Sequence, residues 1–179
     1  YVVSDPIISK GTGNQIFVLM IPFERDGKVV AYLGGAVLIK PLQDLVRTMK
    51  IGRTGYAYLN DSTGTIAAHK VKEIELKNNI LKGIGDTRDE NEGLYRVTRL
   101  MIEGKSGVTI YKYKGAKKYV YYNPVPGTSW SVALTVPETE LTESANFITI
   151  QSVIGFLILL GIMVVVIIII SSQINKSVN

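Results

Sequence analysis

Few side chains in this sequence could perform covalent or metal chemistry. The chain contains no cysteine and one histidine, His69, which excludes disulfides, thiolate metal sites and cysteine nucleophiles. A zinc site or a catalytic triad built on His69 would need companion residues that this composition lacks. We also find no glycine-rich phosphate loop. We therefore predict no catalytic residues, no metal and no cofactor, and we expect that the chain is not an enzyme.

Ligand binding is the chemistry that the aromatic residues could provide. Six tyrosines stand in pairs two residues apart, namely Tyr56, Tyr58, Tyr111, Tyr113, Tyr119 and Tyr121. This spacing places both members of a pair on one face of a β-strand, where they could line a pocket. His69 could likewise contact a ligand or sense pH. Packing is the commoner role for aromatic strand residues, and we favour it for the tyrosines and Trp130, with His69 a plain strand-end residue.

The net charge of +5 raises the question of nucleic-acid binding. The basic residues are dispersed along the chain and interleaved with acidic ones, as where Lys70 and Lys72 are followed by Glu73 and Glu75. Solvated lysines on a sheet and its loops explain this pattern better than a nucleic-acid footprint does. We expect no nucleic-acid partner.

Two β-strands are predicted near the N-terminus, at residues 15–22 and 28–39. Asp26-Gly27 between them is a strong hairpin signal, because both residues tolerate the positive φ of a tight turn. Two strands alone bury too little surface to be stable. We therefore expect partner strands from an N-terminal half that precedes this sequence.

A helix follows this hairpin. Pro41 suits its first turn and Gly52 ends it. The predicted apolar face comprises Leu42, Leu45, Val46 and Met49. We place a domain boundary directly afterwards, at residues 51–54.

The next part of the chain reads as a complete β-rich unit. The predicted strands are residues 56–60, 65–69, 107–113, 117–123 and 129–136. A helical segment that carries Leu94, Val97 and Met101 on one face separates the second strand from the third. A hairpin, a helical crossover and a three-stranded meander form one five-stranded antiparallel sheet with helices to one side, an α+β fold.

A long apolar stretch follows. Residues 144–175 contain no charged side chain, and residues 147–170 read FITIQSVIGFLILLGIMVVVIIII. As a helix this stretch would span ~36 Å, which exceeds a hydrocarbon core of ~30 Å. A strand would leave its backbone groups unpaired in lipid, so we predict one transmembrane helix. Pro137 suits its beginning, and Lys176 beyond it favours a cytoplasmic C-terminus.

The ordered motifs resemble the sensor region of double Cache receptors. SDPIISKGTG and KVVAYLGGAVLIKPLQDLV resemble the end of the membrane-distal module. GRTGYAYLNDSTGTIAAHK resembles the opening of the membrane-proximal module, and GVTIYKYKGAKKYVYYNPVPGTSWSVALTVPETEL resembles its close. The resemblance covers nearly all of residues 1–141. The QINKSV segment near the C-terminus resembles the start of a HAMP domain.

This resemblance implies an organisation in four parts. Residues 1–50 would be the C-terminal strands of a truncated distal Cache module with its linking helix. Residues 51–141 would be the proximal module, with the PAS-like five-stranded sheet. Residues 142–172 would be the transmembrane helix, and residues 173–179 the start of a HAMP-like cytoplasmic segment.

The resemblance also implies where a ligand would bind. Amino-acid-binding members use a tyrosine and an aspartate just after a DP motif, and an aspartate on the last strand of the distal module. The matching positions here are Ile7, Ser9 and Ala36, and all three depart from the pattern. A carboxylate is the natural partner of a ligand's ammonium group, so we do not expect amino-acid binding in that mode.

The function implied is sensing outside the cytoplasm and signalling across the cytoplasmic membrane, as in methyl-accepting chemotaxis proteins. The expected partners are a small-molecule ligand, the lipid bilayer, a second copy in a homodimer, and cytoplasmic signalling proteins reached through an output domain. A Cache-containing histidine kinase or diguanylate cyclase is the alternative. A membrane-tethered enzyme and an adhesion domain are further alternatives of other classes.

Overall fold

The computed structural model describes residues 1–83 and 91–142, together with Phe156 and Ile158. The chain forms two compact units, Tyr1–Glu140 and Leu141–Asn179. The predicted membrane helix at 147–170 and the HAMP-like segment at 173–179 lie outside the described residues, except for Phe156 and Ile158, which are helical and exposed. Within the described ranges, no helix is long and apolar enough to cross a membrane.

A four-stranded antiparallel sheet is formed by the N-terminal residues. Its strands are β1 (Val2–Val3), β2 (Ile7–Ile8), β3 (Gln15–Arg25) and β4 (Lys28–Leu38). β3 lies in the middle, with β4 along one edge and the two short strands on the other. Asp26 and Gly27 both have positive φ, which confirms the hairpin predicted there. β1 and β2 were not predicted, because two residues are too few to show an alternating pattern. They pair with β3, so the expectation that this hairpin finds its partner strands only in a preceding N-terminal half is wrong.

A second antiparallel sheet has six strands. They are β5 (Lys50–Ile51), β6 (Gly55–Asn60), β7 (Ile66–His69), β8 (Gly107–Tyr113), β9 (Ala116–Pro124) and β10 (Ser131–Pro137). The order is β5–β6–β10–β9–β8, and β7 also pairs with β6. The α+β class with antiparallel sheets is confirmed, but the count of five strands is wrong. The extra strand is β5, which adds to β6 by pairing Lys50 with Tyr56 and Ile51 with Gly55.

Each face of the six-stranded sheet is covered by a different element. Helix α2 (Glu92–Ile102) covers one face, and its residues Leu94, Val97 and Met101 are buried as predicted. Helix α1 (Lys40–Thr48) covers the other face, where Val46 packs with Ala57 and Leu59 of β6. A short 3-10 helix (Lys72–Ile74) follows β7.

The buried face of α1 differs from the predicted apolar stripe. Leu45 and Met49 are exposed, whereas Gln43 is 3% exposed. The Gln43 amide nitrogen donates to the Ala67 carbonyl at 3.0 Å and to the Gln15 side-chain oxygen at 2.8 Å. A buried amide is tolerated when its hydrogen bonds are made. Gln43 is therefore part of the buried face of α1, although the apolar spacing did not include it.

Side chains from the four-stranded sheet and the segment beside it pack against the six-stranded sheet at two points. The Asp5 carboxylate accepts hydrogen bonds from the backbone N–H and hydroxyl of Ser62 and, at 3.0 Å, from the Ser129 hydroxyl. The rings of Phe17 and Trp130 meet edge to face, with 5.1 Å between their centroids. Trp130 is buried, which confirms its predicted packing role.

An ion pair between partly exposed Arg47 and buried Glu75 connects α1 to the end of β7. The Arg47 guanidinium donates to both oxygens of Glu75, at 3.3 and 2.8 Å. Glu75 is 2% exposed and also accepts the backbone N–H of His69 at 3.0 Å. The Glu75 carboxylate is thus held by the Arg47 guanidinium and by the His69 N–H. The hydrogen bond from Arg47 to Glu75 raises the pKa of Arg47.

We predict that Arg47→Met lowers the free energy of unfolding by about 3 kcal/mol, because it leaves the Glu75 carboxylate buried and unpaired. Adding Glu75→Gln removes that charge and keeps an acceptor for the His69 N–H, so the double variant should recover at least half of the loss. Urea unfolding measures both. Lys40→Met, which breaks an exposed pair with Asp44, is the control and should cost below about 1 kcal/mol. Equal losses in the single and double variants would contradict the prediction.

Candidate functional site

A cavity of about 400 Å³ lies on the face of the six-stranded sheet that α2 covers. Its walls come from β6, β7 and β8, from the segment after β7, and from the first turn of α2. The aromatic residues in its wall are Tyr56, Tyr58, His69, Tyr111 and Tyr113. Apolar side chains, including Ile66, Ile74 and Leu94, form much of the remainder. Its volume is within the range of small-molecule sites.

Strand register brings the four cavity tyrosines together. Directly paired residues of an antiparallel sheet share a face. Tyr56 of β6 pairs with Thr135 of β10, and Thr135 pairs with Val120 of β9. Val120 in turn pairs with Thr109 of β8, which lies two residues before Tyr111. The tyrosines of β6 and β8 therefore lie on one face, although two strands separate them.

The remaining tyrosine pair lies on the other face. Tyr119 and Tyr121 alternate with Val120 along β9, so their side chains project away from the cavity. Tyr58 and Tyr111 are buried core residues and also line the cavity. Packing, the role we favoured for the tyrosines, is therefore correct for these two only in part.

The hydroxyls of Tyr56, Tyr58 and Tyr111 are neutral hydrogen-bonding groups. Burial raises the pKa of Tyr58 and Tyr111 well above the usual value, and that of Tyr56 also rises for the same reason. The Tyr111 hydroxyl lies 3.2 Å from the Thr135 hydroxyl. The Tyr56 hydroxyl accepts a hydrogen bond from Lys118 at 3.3 Å, which leaves its own proton to donate.

His69 is the last residue of β7 and lies in the cavity wall. Its Nδ1 accepts the backbone N–H of Val71 at 2.9 Å, so the neutral ring carries its proton on Nε2. Its ring meets that of Tyr56 edge to face at 5.1 Å. The pKa of His69 is lowered to about 4, chiefly by burial; Glu75 opposes this lowering and Lys118 adds to it. The residue is therefore a strand-end residue, as expected, but it is also a neutral hydrogen-bond donor in the wall.

Three lysines give the cavity region a positive potential. Lys70 and Lys114 line it, and the Lys118 ammonium lies 5.1 Å from the centre of the Tyr56 ring and 5.5 Å from that of Tyr113. Burial lowers the pKa of Lys118. The carboxylate near His69, Glu75, is held in its ion pair with Arg47.

The potential decides which ligand charge is favoured. At an effective dielectric constant of 20, one ammonium repels a second cation at ~6 Å by about 3 kcal/mol. A cation–π contact with a tyrosine returns about 1–2 kcal/mol. The aromatic wall alone would accept a cation, but the lysines make the cavity unfavourable for one.

The predicted ligand positions of the N-terminal sheet lie away from this cavity. Ile7 pairs with Ile16, and Ala36 pairs with Val18 two residues along the same strand, so Ile7 and Ala36 share one face. Both are exposed. Ser9 lies in the turn after β2, where its carbonyl accepts the Gly13 N–H at 2.8 Å. A ligand role for these three residues stays a prediction.

The tyrosine cavity was raised as an alternative from sequence, but its position and charge were missed. The two-residue spacing of the tyrosines shows that both members of a pair share one face of their strand. That the tyrosines of β6 and β8 share one face of the sheet depends on the pairing of these strands through β10 and β9. The lysine at position 118 gave no sequence signal of its own among its basic neighbours.

Residues 1–145 match the family model dCache_1, a Cache domain. Over 171 residues the chain is 20% identical to the methyl-accepting chemotaxis protein PctB of Pseudomonas aeruginosa, a match that covers 90% of this chain and 25% of PctB. The chain therefore spans about a quarter of that relative's length.

Two solved structures share the fold. The extracellular domain of mmHK1S-Z2, described as a histidine kinase, has a TM-score of 0.68 at 20% identity and covers 79% of this chain and 52% of that domain. The ligand-binding domain of Mlp24 with asparagine has a TM-score of 0.55 at 20% identity and covers 77% of this chain and 51% of that domain. At these identities the likeness establishes the fold alone.

We predict that His69 titrates with a pKa of about 4. It is the single histidine of the chain, so its ring resonances in an NMR pH titration need no assignment by mutation. Because its folded pKa lies below the unfolded value of about 6.5, the stability it contributes is present above pH 6.5 and is lost as the pH falls towards 4. The wild type should accordingly lose more stability over that range than His69→Asn does. A midpoint between pH 6 and 7 would contradict the burial of this ring.

Proposed function

The chain belongs to the Cache domain family, and from this we propose that it is the sensing part of a membrane receptor that binds a small solute outside the cytoplasm. The observation that carries the proposal is the cavity on the face of the six-stranded sheet that α2 covers. Its aromatic and apolar walls with a few converging donors are typical of a small-molecule site. We place the ligand of the receptor in this cavity.

Signalling across the membrane is the second part of the proposal. We infer that residues 142–172 form a transmembrane helix in the cytoplasmic membrane, with the sensor outside and a HAMP-like segment from residue 173 inside. The apolar stretch at 147–170 and Lys176 after it support this arrangement. Residues 1–50 would then be the end of a distal module and residues 51–141 the proximal module.

Coupling between the cavity and the membrane needs a fixed connection at the end of the sensor. The chain is helical at 138–142, directly after β10. The Glu140 carboxylate in this helix accepts the backbone N–H groups of Arg53 and Thr54 and, at 2.6 Å, the Thr54 hydroxyl. Through these hydrogen bonds the carboxylate holds residues 138–142, which we call the exit helix, to the turn before β6. The same bonds lower the pKa of Glu140.

Ligand binding would act by shifting a population between two arrangements of the sensor that differ in ligand affinity. β6 and β8 both line the cavity, and both belong to the sheet that ends in β10 and the exit helix. A change in their spacing would move the residues that hold Glu140. The exit helix would carry this displacement towards the membrane.

A chemotaxis output is the form that we favour, because PctB is a methyl-accepting chemotaxis protein. The receptor would then act as a homodimer in the bilayer and address cytoplasmic signalling proteins, without nucleic acid and without catalysis by this chain. A histidine kinase output is the second candidate, favoured by the fold shared with mmHK1S-Z2, and a diguanylate cyclase output is a further alternative. The output region of the receptor would separate them: a long heptad hairpin with methylatable glutamates favours chemotaxis.

We predict that the purified chain in detergent is stabilised by at least one class of small metabolite in a thermal-shift screen of amino acids, organic acids, amines and purines. A ligand at one hundred times its Kd stabilises by about 2.7 kcal/mol. Tyr113→Ala in the cavity wall should abolish the shift, while Tyr121→Ala on the opposite face should preserve it. A screen without any stabilising ligand would count against sensing and favour an adhesion or anchoring role.

We further predict that Glu140→Ala uncouples sensing from output. In a fusion of this chain to the cytoplasmic region of a chemotaxis receptor, the variant should lose at least fivefold in ligand-dependent response and keep its ligand Kd within twofold. Glu103→Ala, which removes an exposed carboxylate paired with Lys105, is the matched control. A normal response from Glu140→Ala would exclude this contact from the signalling route.

A further inference from the structure

Most polar groups in the wall of the tyrosine cavity can donate, while Asn78 carries both a donor and an acceptor. The Tyr56 hydroxyl keeps its proton while it accepts from Lys118, and His69 keeps the proton on Nε2 because Nδ1 accepts the Val71 N–H. Lys70 and Lys114 add ammonium groups. In the described part of the chain, the lining residues include no aspartate or glutamate.

Lys118 does not itself line the cavity, but its ammonium donates to the Tyr56 hydroxyl in the cavity wall at 3.3 Å, which places it to receive an anion there. Its ammonium lies over the rings of two lining tyrosines, and it is partly buried. Among the described residues, no ion pair to its ammonium is found. A lysine in this setting attracts a negative group into the cavity, since charge-assisted hydrogen bonds are stronger than neutral ones.

The rest of the wall sets the shape of the ligand body. Tyrosine rings and aliphatic side chains surround the donors, and both favour a planar or branched apolar group. A ligand with many hydroxyls or with several charges would lose its hydration against this wall without replacement. The site therefore accepts one charged end and an apolar remainder.

We propose that the cavity binds a small organic carboxylate with an apolar body, whose carboxylate pairs with Lys118 and accepts from Tyr56 and His69. The inference rests on the proposed sensing function and names the ligand class of the same site. It also excludes α-amino acids as preferred ligands of this cavity. Their ammonium group would face lysines, with no lining carboxylate in the described ranges to receive it.

A series of probes that differ in charge tests the proposal. Benzoate, benzamide and benzylamine share one ring and carry a negative, neutral and positive end, respectively. In isothermal titration with the purified chain in detergent, benzoate should bind at least tenfold more tightly than benzamide, and benzylamine should not bind. Isovalerate against isopentylamine repeats the comparison with a branched aliphatic body.

The residue assignment is tested by paired lysine variants. Lys118→Met should weaken benzoate at least tenfold. Lys112→Met makes the same charge change at an exposed position of β8 that alternates with Tyr111 and Tyr113, so it should change the Kd less than twofold. Bound benzoate should also raise the pKa of His69 from about 4, because a nearby anion favours the protonated ring, and the NMR titration of the single histidine reports this directly.

The outcomes separate this inference from the proposed function. Tighter binding of benzylamine or benzamide than of benzoate, or equal losses in the two lysine variants, would overturn the carboxylate assignment. If benzoate and isovalerate both fail while an amine, purine or amino acid from the screen stabilises the chain, the receptor stands and the ligand class is wrong. If no compound stabilises the chain, both proposals fail.

Discussion

The register of β10 determines which side chains of the six-stranded sheet can act together. β10 pairs with β6 on one side and β9 on the other, so Thr135 lies between Tyr56 and Val120. A slip by one residue in either pairing would move a whole set of side chains to the opposite face. Gly55 permits this pairing, because a Cβ there would lie 2.8 Å from the Thr135 carbonyl oxygen. The cavity, its donors and the core under α2 all follow from this register.

The same sheet carries contacts that connect the cavity with the rest of the chain. His69 lines the cavity with its ring, and its backbone N–H is held by Glu75, which is paired with Arg47 of α1. α1 follows β4 and therefore joins the two sheets along the chain. At the other end of the sheet, Glu140 holds the exit helix to the turn before β6. A displacement of the cavity wall could therefore reach the N-terminal sheet through the Arg47–Glu75 ion pair. It could reach the exit helix through the hydrogen bonds of Glu140.

Local patterns predicted the elements but not their meeting points. The hairpin at Asp26-Gly27, the bounds of β8 and the buried stripe of α2 depend on residues close in sequence, and all were predicted. Gln43 is buried because its partners are Gln15 and Ala67, far from it in the chain, so no helical period could reveal it. β5 is recognisable only by its pairing with β6. The low pKa of His69 follows from burial under segments that its own strand does not specify.

The composition of the cavity wall argues against a purely structural role for it. A core selected for packing alone would be filled with aliphatic side chains, which have no polar atoms to satisfy. This wall instead holds hydroxyls and a neutral imidazole beside a lysine that burial penalises. Partial burial of an ammonium without a carboxylate lowers stability, and native proteins retain such departures mainly at functional sites. A bound carboxylate would occupy the space between the tyrosines and give Lys118 the charged partner that no ion pair among the described residues supplies.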